Sequence, residues 1–219
     1  MSEASLEVFQ DLYLKTEESP LTIRDGIIAK VKEPWLHDGD REKNVGSKPD
    51  DARNVLILKR DESDGIEAAS LVLWRKDSEY KVTNIIPTKK SELGVRAYNA
   101  ILNDFLTQLA EPAAREYGFT IDLKKAQQTL ADWLDSESAL ALQRFSVSAN
   151  KLMSHPLDLE RWNSFLISIH RSGKRMDSVL LIRWLTEVGG WPDDRASELA
   201  IEYEFALELL RQYDQSKCL

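Results

Sequence analysis

The chain has 219 residues, a formal net charge of −8 at pH 7, 42% hydrophobic residues, 30% charged residues and six tryptophans. A chain of this length can bury about 70% of its unfolded surface, so the composition indicates a folded globular protein and excludes a disordered or fibrous one. The single cysteine, Cys218, allows neither an intramolecular disulfide nor a cysteine-based zinc site, which favours a reducing, cytoplasmic compartment. Without a signal-peptide pattern or a long apolar run, we expect neither secretion nor membrane insertion.

The charge is unevenly distributed along the chain. The net negative charge argues against general nucleic-acid binding, because such proteins present an excess of Lys and Arg to phosphates. From Arg144 to Arg183, however, there are seven basic and three acidic residues, whereas from Glu187 to Asp214 there are two basic and eight acidic residues. The simpler interpretation is that neighbouring helices have complementary charges. The alternative is a nucleic-acid-binding module that uses a basic surface formed by residues 144–183.

The first 53 residues predict a helix, a short strand and a loop. Residues 5–16 have the apolar spacing of an amphipathic helix. The residues that make this pattern are Leu6, Phe9, Leu12 and Tyr13. The segment IIAKVK (27–32) predicts a short strand. Residues 33–53 are polar and interrupted by prolines and glycines, which predicts a long loop that is either functional or mobile.

Three β-rich segments follow, separated by turn-forming residues. NVLILKR (54–60), IEAASLVLWRK (66–76) and YKVTNIIP (80–87) predict an antiparallel meander. A helix that starts at Ser91 and Glu92 is expected next, interrupted or restarted at Pro112 and ended by Gly118. Its apolar stripe consists of Tyr98, Ile101, Leu102, Phe105 and Leu109. FTIDL (119–123) predicts a fourth strand.

From Lys124 onward the sequence predicts only helices. The expected fold is therefore α+β: an N-terminal helix plus a small antiparallel sheet with a packed helix in a domain of residues 1–123, then an all-helical domain of residues 124–219 packed on it. The last helix, which begins at Pro192, has two apolar stripes. The stripes are Leu199, Tyr203, Ala206, Leu210 and Tyr213, and Ile201, Phe205 and Leu209. Either both are buried between the two halves, or one is a protein interface.

One motif suggests metal-dependent phosphoester chemistry. The predicted order of helix, three strands, helix and strand is that of PD-(D/E)xK nucleases, and Glu79 and Lys81 have the spacing of their E-x-K element. Asp77 or Asp64 would have to supply the second carboxylate for a divalent metal. Asp77 lies in a predicted hairpin turn and Asp64 at the far end of the preceding strand, so we favour charged turn residues over a metal site. A metal-dependent nuclease or phosphoesterase with Asp77, Glu79 and Lys81 remains the enzymatic alternative.

The histidines do not form one site. His37 falls in the predicted polar loop. His155 and His170 flank a helix that begins at Pro156, and fourteen helical steps of about 1.5 Å separate its ends by roughly 21 Å. His155 is expected to cap this helix and His170 to be a cation near its end. Asn150, Lys151 and His155 are the remaining candidates, as a polar or anion-binding corner; no metal or cofactor is expected.

Three segments of the C-terminal half resemble a family of uncharacterised bacterial proteins. They are RFSVSANK (144–151), SHPLDLERW (154–162) and WPDDRASELAIEYEFALELL (191–210). The resemblance, which runs from about Val82 to the C-terminus, implies a bacterial source but no activity or site residues. The leading hypothesis is a non-catalytic protein that binds another, basic protein, as an accessory subunit or as an immunity or antitoxin-like partner. Self-association through the last helix is also considered.

Overall fold

A computed structural model describes residues 4–45, 51–89, 92–151 and 155–217, with only the backbone at 51 and 52. Cys218 and Ser91 lie outside the described residues. The strands are β1 (Leu6–Glu7), β2 (Leu12–Lys15), β3 (Trp35–His37), β4 (Val55–Arg60), β5 (Ala69–Lys76), β6 (Glu79–Pro87), β7 (Thr120–Leu123) and β8 (Gln127–Gln128). The α-helices are α1 (Pro20–Lys30), α2 (Gly39–Lys43), α3 (Val95–Phe105), α4 (Glu111–Tyr117), α5 (Leu130–Trp133), α6 (Ser136–Ser148), α7 (Pro156–Ser172), α8 (Ser178–Arg183) and α9 (Asp193–Ser216). The fold is α+β, as predicted.

The chain divides into two compact units. One is Glu7–Ala126, and the other combines Met1–Leu6 with Gln127–Leu219. The first unit, called here the sheet unit, has a core formed by one sheet and the helices α1, α3 and α4. The second, called here the helical unit, has a core of buried aromatic and aliphatic side chains from α6 to α9.

A six-stranded antiparallel sheet organises the sheet unit. Its strand order is β3-β4-β5-β6-β2-β7, and every neighbouring pair is antiparallel. The predicted meander is confirmed as β4, β5 and β6, and the predicted fourth strand is confirmed as β7. β1 and β8 form a separate two-stranded sheet, so the expectation of no strand after Lys124 is wrong for Gln127–Gln128.

The predicted N-terminal helix over residues 5–16 is wrong, because this segment forms β1 and β2. Leu12 and Leu14 are fully buried while Tyr13 and Lys15 are half-buried, which is the period-two pattern of a strand. β2 lies between β6 and β7 and pairs with both. Hydrogen bonding on both edges of β2 therefore outweighs the helical spacing of the apolar residues. One member of that spacing, Phe9, is exposed.

The predicted strand over residues 27–32 and the predicted loop over residues 33–53 are also wrong. Ser19 caps α1 and Pro20 occupies its first turn, so the helix begins here. It continues to Lys30, through most of the predicted strand, and buries Ile23 and Ile27. The predicted loop contains β3, which pairs with β4, and the short helix α2. Residues 46–50 of that loop lie outside the described residues.

Glu42 fixes this segment to the sheet, and a second buried charge, Arg60, fixes the sheet to α3. Glu42 in α2 is 2% exposed; it pairs with Arg24 (2.5 Å), contacts His37 Nε2 (2.9 Å) and accepts a hydrogen bond from the Ile57 backbone N–H (2.9 Å). Arg60 in β4 is buried and pairs through Nε with Asp104 of α3 (2.8 Å). Such contacts compensate the cost of removing charges from water, so a polar segment becomes part of the folded core.

The helix after the sheet follows the predicted stripe. Ile101, Leu102, Phe105 and Leu109 are buried and Tyr98 is half-buried. A π-helical turn over Leu106–Ala110 connects α3 to α4, whose first turn contains Pro112. Because proline has no backbone N–H, the wider turn accommodates it without ending the helix. Gly118 then ends α4 with a φ of +75°.

Candidate functional site

The proposed nuclease residues lie at one end of the β5–β6 hairpin. Asp77 is in the turn with a φ of +54°, and Glu79 and Lys81 both lie on β6. Asp64 is in the turn before β5, so the whole of that eight-residue strand separates it from Asp77. The structure therefore brings Glu79 and Lys81 to one face of a strand but places the two aspartates at opposite ends of β5.

Lys81 is held by neighbours that the motif did not include. Its Nζ pairs with Asp11 at 2.9 Å and lies 4.9 Å from the centre of the Tyr13 ring. Hydrogen bonds to Asp11 and Tyr13 raise the pKa of Lys81 above its ordinary value, so the amine stays protonated. Among the described residues, no group of three or more His, Cys, Asp or Glu side chains is arranged to hold a metal ion.

The predicted corner of Asn150, Lys151 and His155 lies at the start of α7. The Asn150 backbone N–H donates to Asp158 Oδ2 (3.0 Å), and Lys151 Nζ donates to the Gly189 carbonyl. His155 is the N-cap of α7, and its Nδ1 accepts the Leu157 N–H at 3.2 Å. A neutral His155 therefore carries its proton on Nε2. The helix runs unbroken to Ser172, so His155 and His170 lie at opposite ends, as predicted.

A cavity of about 440 Å³ opens beside this corner, within the helical unit. Most of its wall is apolar, and α6, α7, the Trp191 segment and α9 all contribute to it. The lining residues are Phe145, Ala149, Asn150, His155, Pro156, Asp158, Leu159, Trp162, Trp191, Arg195, Leu199 and Glu202. Its size is in the range of small-ligand pockets.

Three aromatic rings form one wall of the cavity. Phe145 lies between Trp162 and Trp191, with ring centres 4.9 and 5.0 Å away. Trp191 Nε1 donates to Ser146 Oγ at 3.1 Å, which fixes the indole. A Cβ at Gly189 would lie 2.6 Å from Ser146 Oγ and 2.9 Å from Trp191, so this close packing requires glycine. The wall is therefore closely packed in the structure without a ligand.

Charged groups are found around the cavity, and most already have partners. Asp158 pairs with Arg161 at 2.8 Å in addition to its bond from Asn150, and Arg195 pairs with Glu198. Glu202 lines the cavity and is exposed. Within the described ranges, no hydrogen bond or ion pair is found for the Glu202 carboxylate, so it is the charge most accessible to a bound partner.

The second apolar stripe of the last helix is exposed along α9. The exposed fractions of its members are 71% for Ile201, 69% for Phe205 and 54% for Leu209. The first stripe behaves as predicted at Leu199 and Tyr203, which are 4% and 0% exposed. The last member of the first stripe, Tyr213, is 56% exposed. It follows Leu209 by four residues, so it extends the exposed apolar face of the second stripe.

The basic residues of segment 144–183 are largely engaged within the helical unit. Arg161 pairs with Asp158, Arg175 with Glu204 (2.8 Å) and Arg183 with Glu187 (2.7 Å). His170 Nε2 lies 2.7 Å from Asp214 Oδ2. Arg161–Asp158 and Arg183–Glu187 join residues three or four apart along the chain. Arg175–Glu204 and His170–Asp214 instead join this segment to α9, as the interpretation of neighbouring helices with complementary charges expects.

Sequence reasoning identified the polar corner but missed the cavity beside it. The spacing of Pro156 and His155 indicated the start of a helix, whereas no pattern links Phe145, Trp162 and Trp191. A usable signal was the pair of glycines directly before Trp191, because adjacent glycines commonly mark a close approach of the chain to other groups.

Among the described residues, no helix is long and apolar enough to cross a membrane. No protein-family model, curated protein or solved structure matches this chain, so the resemblance to a bacterial family stays a prediction.

Proposed function

We propose that the protein acts by binding another protein through the exposed apolar face of α9, as an accessory subunit or an immunity-type partner in a bacterial cytoplasm. The observation that carries this proposal is the run of exposed apolar side chains at Ile201, Phe205, Leu209 and Tyr213. Single exposed apolar residues are common on protein surfaces, but a continuous patch marks an interaction site.

The helix geometry makes these side chains one surface. Successive members are four residues apart, so they are neighbours along a helix and extend over about 18 Å. Such a stripe fits an amphipathic helix of the partner, which would contribute apolar side chains at three- and four-residue spacing.

The charge next to the stripe selects the partner. Glu198, Glu202 and Glu208 lie three or four residues from members of the stripe, so they border it on the same helix surface. A hydrogen bond from Arg211 lowers the pKa of Glu208 to about 2, so this carboxylate stays charged at neutral pH. Glu198 and Glu208 pair with Arg195 and Arg211 of the same helix, so among the described residues Glu202 supplies the unpaired negative charge of the border. This charge favours a basic partner, whereas a second copy of the chain would place another carboxylate against it.

Photo-crosslinking tests the proposal. A photoreactive phenylalanine analogue replaces Phe205 in cells of the source organism, and the control carries it at Val179, which is 62% exposed on α8 of the same unit. Position 205 is expected to crosslink a basic protein, and position 179 is not. With the purified partner, Phe205→Glu should raise the Kd at least about tenfold, since it places a charge in an apolar contact. Val179→Glu should leave the Kd unchanged.

Three results would overturn the proposal. They are no crosslink at position 205, a crosslink only to a second copy of the chain, and a purified partner whose Kd is insensitive to Phe205→Glu. Far-UV circular dichroism of both variants establishes that they keep the helical content of the natural protein.

A further inference from the structure

We infer that the cavity beside α9 is the anchor site of the same interface: it accepts one bulky apolar side chain from a basic amphipathic helix lying along α9. This inference rests on the proposed function and adds to it the chemistry of the partner. The helix is recognised by an aromatic or large aliphatic anchor, by apolar residues that cover the stripe and by flanking Lys or Arg.

The cavity and the stripe are neighbours on α9. Glu202 lines the cavity and precedes Phe205 by three residues, or about 4.5 Å along the helix axis. Leu159 of α7 also lines the cavity and is 60% exposed, so it forms an apolar part of the rim. A chain segment that covers Ile201 and Phe205 therefore passes beside the opening.

The walls suit an apolar side chain better than a polar ligand. Phe145, Trp162 and Trp191 provide ring surfaces, and Leu199 adds an aliphatic one. Asp158 has both carboxylate oxygens occupied, one by Arg161 and the other by the Asn150 N–H. Interfaces obtain much of their affinity from large side chains inserted into desolvated, preformed pockets of this kind.

The charge at the rim of the cavity favours basic residues next to the anchor side chain in the partner helix. The Glu202 carboxylate has no partner among the described residues, and Glu202 is exposed while it also lines the cavity. A Lys or Arg one turn from the anchor can pair with it without burying a charge. From Glu202 to Leu209 is about 10 Å, so a partner helix of three to four turns reaches both the cavity and the stripe.

Synthetic peptides test this assignment directly. Two fluorescently labelled 18-residue Leu/Lys amphipathic helices differ only at one central apolar position, which is Phe in one and Ala in the other. Their Kd values are measured by anisotropy with the natural protein and with Leu159→Glu, Leu157→Glu and Phe205→Glu. Leu157 is a matched control, because it lies on α7, is 51% exposed and does not line the cavity.

The natural protein should bind the Phe peptide at least about tenfold more tightly than the Ala peptide. Leu159→Glu should reduce this preference to about twofold or less, whereas Leu157→Glu should retain it. Phe205→Glu should weaken both peptides by a similar factor and leave the preference intact, because it changes the stripe and not the cavity. The Phe peptide should also shift the tryptophan emission, since Trp162 and Trp191 line the cavity.

The possible failures are distinguishable. If both peptides bind equally and Phe205→Glu weakens both, the stripe is an interface and the anchor assignment is wrong. If the Phe preference survives Leu159→Glu, the anchor binds elsewhere and the assignment is again wrong. If neither peptide binds, or if Phe205→Glu has no effect on either, the proposed function fails together with the anchor.

Discussion

Replacing Asp104 by alanine should strongly destabilise the sheet unit. Asp104 Oδ2 pairs with Arg60 Nε at 2.8 Å and accepts the Trp35 indole N–H at 2.8 Å. The Arg60 side chain is 0% exposed, so the substitution leaves a buried guanidinium without its counter-charge, which costs about 3–5 kcal/mol. Asp104→Asn removes the charge but can still accept a hydrogen bond, so its cost should be at the lower end, about 3 kcal/mol.

Hydrogen exchange of the β4 amides is the appropriate assay, because it reports opening of the sheet unit without contribution from the helical unit. A loss of about 3 kcal/mol lowers the protection of Val55–Arg60 by roughly a hundredfold. Adding Arg60→Met to Asp104→Ala should restore part of the protection, since it removes the unpaired charge. The control is Asp122→Asn, which removes the half-exposed pairs with Lys15 (3.0 Å) and Lys124 (2.9 Å) and should change protection little. Unchanged protection in Asp104→Ala, or a further additive loss in the double variant, would refute the reasoning.

Two further predictions concern the helical unit. Tyr203→Phe should lower the free energy of unfolding by about 2–3 kcal/mol in urea titrations, because the buried phenol donates to the Met176 carbonyl (2.8 Å) and accepts its N–H (3.0 Å), and both would lose their partner; an unchanged urea midpoint would contradict it. Asp135→Ala should cost about 1 kcal/mol at pH 7, because Asp135 caps α6 by accepting the Ser138 N–H at 2.8 Å. That bond lowers the pKa of Asp135, so its contribution is present above the ordinary pKa and is lost as the pH falls through the native value. Urea midpoints should therefore converge in strong acid, and a constant difference between pH 7 and pH 2 would contradict this.

The elements that sequence reasoning found are those whose signals are local. β4 to β6 have apolar runs bounded by turn residues, and α7 is bounded by Pro156 and Gly173. The segments that it misassigned depend on distant partners. β2 is a strand because β6 and β7 pair with its two edges. β3 is a strand because it pairs with β4, which places Trp35 opposite Arg60. A short segment of the sequence never includes both strands of any of these pairs, so local patterns cannot reveal them.

The candidate site shows the same division. The two apolar stripes of α9 follow from helical period alone, but their exposure depends on what packs against the helix. The cavity needs Phe145, Trp162 and Trp191 to converge from three separate segments, which is a property of the tertiary structure. A polar corner was therefore predictable at Asn150 and His155, while the adjacent apolar volume was not.

The position of β2 also constrains the order in which the chain assembles during synthesis. Lys15 lies opposite Glu79 on one side and Thr120 on the other, so β2 is made well before β7 and receives its second neighbour only after β7 has emerged. At about 5–20 residues per second, that interval lasts several seconds to about twenty seconds. Throughout it Leu12 and Leu14 have an open edge. The nascent chain thus carries an apolar segment accessible to chaperones until the sheet closes around it.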